Sequence, residues 1–154
     1  MRRTGGCQCG AVRFMVENIG RPSICHCRMC QKAFGAPYGA LVSVEVADLT
    51  WTRGEPTRFA SSNKVRRGFC AACGTPLTFE WSAKTIDLAI CAFDEPADIA
   101  PVVQMAVGSA LPWTSATPSL PVRTAGEEAQ IAGFYADLVS HQHPDHDTET
   151  WPHG

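Results

Sequence analysis

Seven cysteines fall in three short clusters: Cys7 and Cys9 in "GGCQCGAV", Cys25, Cys27 and Cys30 in "CHCRMC", and Cys70 and Cys73 in "GFCAACGTPL". C-x-C and C-x-x-C spacings bring thiols close enough to share a metal ion, and thiols in a reducing compartment stay unpaired, so zinc is expected rather than disulfides. The "CAACG" segment offers only half a tetrahedron of ligands. Cys7 and Cys9 are the matching pair, and together with Cys70 and Cys73 they close a site of four sulfurs. Closed sites of this kind are structural, and each contributes on the order of 10 kcal/mol to folding.

Cys25, Cys27 and Cys30 are left with three sulfurs. Three protein ligands with the fourth position free for water or substrate is the usual catalytic arrangement. Two other readings fit the same residues: Cys91 or His26 completes the tetrahedron, or the trio works as redox thiols without a metal. His26 is the one histidine ahead of the tail, which makes it the candidate acid–base residue. Three thiolates leave a divalent zinc with a formal charge of about −1, a poor Lewis acid for a carbonyl but a good seat for a soft thiol. A thiol bound there loses its proton.

The rest of the chain must position these sulfurs. At 154 residues, with 45% hydrophobic and 18% charged side chains, one globular domain is expected. The net charge of −2, with no basic block longer than Arg66-Arg67, speaks against nucleic-acid binding. "MRRTGGCQCG" has no apolar run behind its arginines, and no stretch approaches the roughly 20 apolar residues of a membrane span. A cytoplasmic protein that engages no membrane is expected.

The pattern is mostly β. Val12, Phe14 and Val16 alternate in "AVRFMVE" (11–17), and 38–46, 65–69, 76–81, 85–93 and 102–107 read as further strands. Residues 50–59 read as a hairpin turning at Arg53-Gly54-Glu55-Pro56. Cys91, in the middle of the 85–93 strand, reads as a buried small hydrophobe. Pro and Gly punctuate residues 1–125 and leave no room for a long helix. Beyond them, Ile131, Phe134, Tyr135 and Leu138 recur at helical spacing over 126–142, behind Glu127 and Glu128 in the first turn. The division expected is therefore a zinc-binding β domain over 1–125 and a helix with a flexible tail over 126–154. The tail histidines His141, His143, His146 and His153 read as part of a frayed end, and exposed sheet edges with the amphipathic segment would suit a homodimer.

"GGCQCGAVRF", "CHCRMCQKAFGAPYG", "WTRGEPTRFASS" and "RRGFCAACGTPLTF", with looser matches at "TIDLAICAFDEP" and "LPWTSATPSLP", resemble the glutathione-dependent formaldehyde-activating enzymes, a family that includes centromere protein V. The resemblance runs over roughly residues 4–121. It implies a β-tent, antiparallel sheets leaning together around zinc. It also implies two zinc ions per chain, a structural one on Cys7, Cys9, Cys70 and Cys73 and one at the catalytic site on Cys25, Cys27 and Cys30. The implied activity is condensation of formaldehyde with glutathione to S-hydroxymethylglutathione, a carbon–sulfur lyase reaction. Ahead of "LPW", where relatives often carry a His, an aromatic residue and a charged pair, this chain has Gln104, Met105, Ala106, Val107, Gly108, Ser109 and Ala110.

The expected function is a zinc-dependent enzyme acting on adducts of a small thiol, glutathione first, with formaldehyde or another aldehyde. Arg28, Lys32, Arg66 and Arg67 are the candidates to receive the thiol's carboxylates. A zinc-stabilised binding module, or a thiol-based sensor without turnover, would use the same cysteines.

Overall fold

A computed structural model describes residues 1–152; His153 lies outside the described residues. Ten strands and two α-helices follow one another as β1 (Arg3–Gly6), β2 (Arg13–Val16), β3 (Pro22–Cys25), α1 (Arg28–Phe34), β4 (Gly39–Glu45), β5 (Leu49–Arg53), β6 (Thr57–Ala60), β7 (Arg66–Phe69), β8 (Pro76–Glu80), β9 (Thr85–Ala89), β10 (Val103–Met105) and α2 (Ala125–Ala136). The fold is mostly β with a C-terminal helix, as the sequence pattern implies.

Strands β1-β2-β5 form a three-stranded sheet, and β10-β3-β4-β9-β8-β7-β6 form a seven-stranded one. Every pairing is antiparallel except that of β10 with β3, which is parallel. The larger sheet is thus mixed at one edge rather than purely antiparallel.

Side chains alternate across a strand, and that alternation gives the large sheet two different faces. Val42 pairs with Leu88 and Leu88 with Thr78; all three are buried. This face packs with Phe14 and Val16 of the small sheet into the core. The Phe14 ring meets Trp51 and Phe93 edge-on, with centroids 6.0 and 5.0 Å away. The opposite face carries Ser43, Asp87, Phe79, Arg67 and Phe59, each paired with the next across five neighbouring strands.

Residues 50–59 do not form the hairpin read from the sequence. β5 pairs with β2, and β6 with β7. The turn between them carries the chain from one sheet to the other. The 85–93 strand also stops short, at Ala89, and a tight turn over Ile90–Ala92 follows. That turn buries Ile90, Ala92 and Phe93 in the core and puts Cys91 outside, exposed. Cys91 is therefore not the core thiol expected, because packing Phe93 against Phe14 requires the chain to leave the strand's alternation.

α1 is a helix that the sequence reading did not foresee. Cys27 caps it, its sulfur accepting from the Cys30 N–H at 3.4 Å, and Gly35 ends it in the left-handed conformation at φ 58°. α2 begins where expected, with Thr124 and Glu127 forming a capping box. It ends at Ala136, and Phe134, Tyr135 and Leu138 are exposed. No helix among the described residues is long and apolar enough to cross a membrane.

Where the sequence reads as a frayed end, residues 143–151 return to the body. The buried His143 donates its N–H to Gln8 O at 2.7 Å, and Trp151 Nε1 donates to Cys9 O at 2.6 Å. Arg53 Nη2 donates to Thr148 O at 2.6 Å. Arg13, 3% exposed, lies between two carboxylates: Nη1 and Nη2 donate to Asp94 at 2.8 and 2.7 Å, and Nη2 also to Asp147 at 2.8 Å.

Burial alone would raise the Asp94 pKa, but hydrogen bonds from Arg13 and Thr4 outweigh it and hold the carboxyl below its ordinary value. Its contribution to stability is present above the ordinary carboxylate pKa of about 4 and is lost as pH falls through the folded-state value. Asp94→Ala, which leaves the buried guanidinium with only the half-exposed Asp147, should cost about 2 kcal/mol at pH 7. In urea titrations the gap to wild type should shrink below about pH 4; a gap independent of pH would show that the ion pair is not its source.

Candidate functional site

Two hairpin tips meet at the first thiol cluster. Cys7 and Cys9 lie in the connection between β1 and β2, and Cys70 and Cys73 in that between β7 and β8. Both turns close around a glycine at φ 78°: Gly10 N–H donates to Cys7 O at 3.0 Å, and Gly74 N–H to Cys70 O at 2.8 Å. A residue with a Cβ is strained in that conformation. The four sulfurs lie within 4.8 Å of one another, with Cys7–Cys9 at 3.6 Å and Cys9–Cys70 at 3.9 Å.

The thiols of this cluster differ in ease of ionisation. Burial pushes Cys7 up to about 12, in spite of the Val12 N–H that donates to its sulfur. Burial also opposes ionisation of Cys73. There, hydrogen bonds from the side chain and backbone of Thr75 and from the Cys9 backbone outweigh it, and the pKa falls to about 6.

The second cluster sits where β3 runs into α1. Cys25 ends the strand, Cys27 caps the helix, and Cys30 lies in its first turn. Their sulfurs also lie within 4.8 Å of one another. Burial raises Cys30 to about 12, against the opposing effect of Arg67. Cys27 is lowered: burial resists, but the Cys30 N–H, hydrogen bonds with Cys25 and Cys30, and the Arg67 charge prevail. The three thiols line a cavity of about 130 Å³ whose wall also includes Leu41, Arg67 and Asp87.

Adjacent residues on a strand face opposite ways, and this separates the two arginines named from sequence. Arg66 is exposed. Arg67 is 3% exposed and donates from Nη2 to Cys30 Sγ at 3.3 Å and from Nε to Ser61 Oγ at 3.0 Å. Its guanidinium carbon lies 4.8 Å from the Phe79 ring centroid and 5.9 Å from that of Phe34. Arg28 and Lys32 are exposed; Arg28 Nη1 donates to Gln31 Oε1 at 3.2 Å.

His26 is buried but is not part of the wall of the thiol cavity. Its Nε2 is 3.0 Å from Gln104 Oε1, and its ring meets Tyr38 edge-on. Gln104 thus serves as the partner of a buried imidazole. Gln31, also buried, donates to the carbonyls of His26 and Ser109 at 2.8 and 2.9 Å, fastening α1 to the segment after β10.

Asp87 is the site residue that sequence reasoning missed. Burial raises its pKa, although hydrogen bonds from Ser43 and Trp81 oppose the rise; Ser43 Oγ donates to Oδ1 at 2.6 Å. The signal was a lone carboxyl between Ile86 and Leu88 in the most regular strand of the chain.

A mostly-β scaffold with two convergent thiol clusters defines a protein able to hold metal ions at both. The family model of the glutathione-dependent formaldehyde-activating enzyme matches residues 2–109, and the chain belongs to this family. Curated protein sequences gave no match. Among solved structures, a crystal structure of a Rhodobacter sphaeroides protein is similar, with a TM-score of 0.55 and 21% identity, covering 66% of this chain and 99% of that one. At that identity the likeness concerns the fold alone.

Gly39 fixes how closely α1 approaches the sheet. A Cβ there would lie 2.9 Å from the Phe34 ring and 3.3 Å from Cys30 Cβ. Gly39→Ala should therefore destabilise the fold by about 1–3 kcal/mol, the usual cost of overpacking, as read by chemical denaturation. Unchanged stability would mean that α1 can shift freely.

Proposed function

We propose that the chain is a zinc-dependent enzyme of carbon–sulfur lyase type, acting in the cytoplasm on the adduct of glutathione or a similar small thiol with formaldehyde or another aldehyde. The observation that carries this reading is the cavity beside the trio: three sulfurs at its wall, with the buried Arg67 guanidinium and the half-buried Asp87 carboxyl lining the same space.

The donor sets fit zinc. A tetrahedral zinc with bonds of about 2.3 Å sets its sulfurs about 3.8 Å apart, and two separations in the first cluster are 3.6 and 3.9 Å. Cys7, Cys9, Cys70 and Cys73 would hold a structural ion. Cys25, Cys27 and Cys30 would hold a second. Zinc on three thiolates lets a substrate thiol bind as thiolate.

The chain's own groups do the remainder. Arg67 donates to Cys30 and eases its ionisation against the opposing effect of burial, which zinc binding would complete. As the substrate sulfur bonds to the aldehyde carbon, the carbonyl π pair moves to oxygen. Asp87, whose carboxyl is kept protonated more readily by burial, gives that oxygen its proton. In the reverse direction the carboxylate takes the proton back as the carbon–sulfur bond breaks. The proton released by the thiol on binding balances the one that Asp87 gives up.

Elemental analysis should find two zinc ions in wild type and one in a folded Cys27→Ser variant, with glutathione altering only the ion that the variant lacks. One zinc in both proteins, unaffected by glutathione, would sink the open-site reading. Asp87→Asn should lower thiol–aldehyde turnover, corrected for the spontaneous reaction, about 100-fold. Wild-type adduct formation should also fall as pH rises through the Asp87 pKa, and the variant should lose that limb.

A further inference from the structure

Arg67 also lines a larger groove, of about 340 Å³, whose walls include no cysteine and which the proposed chemistry does not use. Its walls are Phe34 at the end of α1 and Phe59, Phe69 and Pro76 on β6, β7 and β8, and Arg67 is its single charged residue. Phe59, Arg67 and Phe69 share one face, Phe59 pairing directly with Arg67 and lying 6.1 Å from the Phe69 ring. The volume is at the small end of the range for ligand sites, which are mostly apolar with a few fixed polar groups.

Arg67 does not spend all of its donors. Nε goes to Ser61 and Nη2 to Cys30, while Nη1 is buried with no hydrogen-bond partner. Among the described residues no carboxylate lies within ion-pair distance of it. A buried N–H without an acceptor costs about 1–3 kcal/mol, and more on a charged group. An acceptor brought in by a ligand would remove that cost.

We propose that this groove binds a small apolar carboxylate, its hydrocarbon or aromatic body against Phe34, Phe59 and Phe69 and its carboxylate on Arg67 Nη1. The charge decides the class: a neutral apolar ligand leaves Nη1 unpaired, and a polar peptide such as glutathione finds one cation among aromatic walls. Phe34 lines the groove with its ring centroid 5.9 Å from the guanidinium carbon, and because Nη1 is buried, binding in this mode requires a side chain such as this one to shift and uncover it. Because Nη2 of the same guanidinium holds Cys30, the bound acid is coupled to the thiol site through one side chain. The site itself stands on the groove and Arg67, independently of the reaction proposed for the cysteines.

The test is titration of the zinc-loaded, full-length protein with phenylacetate and with phenylacetamide, followed by amide chemical shifts without thiol or aldehyde present. Phenylacetate should bind at least about tenfold more tightly, the minimum expected of one charge-assisted hydrogen bond, and should shift Ala33, Phe59, Phe69 and Gly74. Arg67→Met, which keeps the apolar stem, should erase the preference. Phe59→Ala, at the exposed rim, should weaken both ligands alike. Equal binding of acid and amide, absence of binding, or shifts centred on Cys25, Leu41 and Met105 would overturn the proposal, as would tighter binding of glutathione in the groove. Turnover is not read, so loss of the thiol–aldehyde activity would leave this result intact.

Discussion

Four sulfurs brought from residues 7, 9, 70 and 73 to within 4.8 Å join the tips of two hairpins, one from each sheet, and the remaining architecture is arranged around that junction. The strands are short and several carry polar residues, so the two sheets share a core built from few large side chains. Phe14, Leu77 and Leu88 are among the largest fully buried ones. A metal ion shared by these thiols would fix the two hairpins relative to each other. The returning tail adds to the same region: His143 and Trp151 bond to the backbone of Gln8 and Cys9, and Asp147 joins Arg13 and Asp94. An end of the chain rich in His, Asp and Thr is held there by hydrogen bonds rather than by apolar burial.

The alternation of side chains divides the work of the large sheet between its faces. Val42, Leu88 and Thr78 look toward the core. One residue along each strand, Ser43, Asp87, Phe79 and Arg67 look toward α1 and the second thiol cluster. The face that needs no large hydrophobic area for stability is free to hold a carboxyl and a guanidinium on either side of one phenylalanine. Electrostatics follow from that placement. Burial raises Asp87 and Cys30, while Arg67 draws Cys30 back toward ionisation and helps to lower Cys27.

Arg67 is the costliest group on this face and the most connected. Two rings flank its guanidinium, Ser61 and Cys30 accept from it, and both cavities touch it. A buried cation is tolerated when anionic or hydrogen-bonding partners surround it, and the thiol cluster supplies the negative character here. The same side chain therefore touches both the second thiol cluster and the aromatic groove.

The sequence by itself determined which thiols could share a metal: cysteine spacing named both clusters, and period-two patterns found most strands, because ligand spacing and strand alternation are local. It also marked α2, whose capping box is complete within a few residues of chain. Tertiary structure decided what depends on partners distant in sequence. It took the 50–59 segment from a hairpin to a crossing between sheets, turned Cys91 outward so that Phe93 could reach Phe14, and closed the tail over the first cluster. It also set Arg66 and Arg67 on opposite faces and seated His26 against Gln104 and Tyr38 rather than on the thiol cavity. Asp87 became part of the site only because β4, β9, β8 and β7 pair in one register. Residue types and spacings fix which ligands a chain can offer; which of them share a cavity is set by strand pairing across the whole sheet, and no local pattern encodes it.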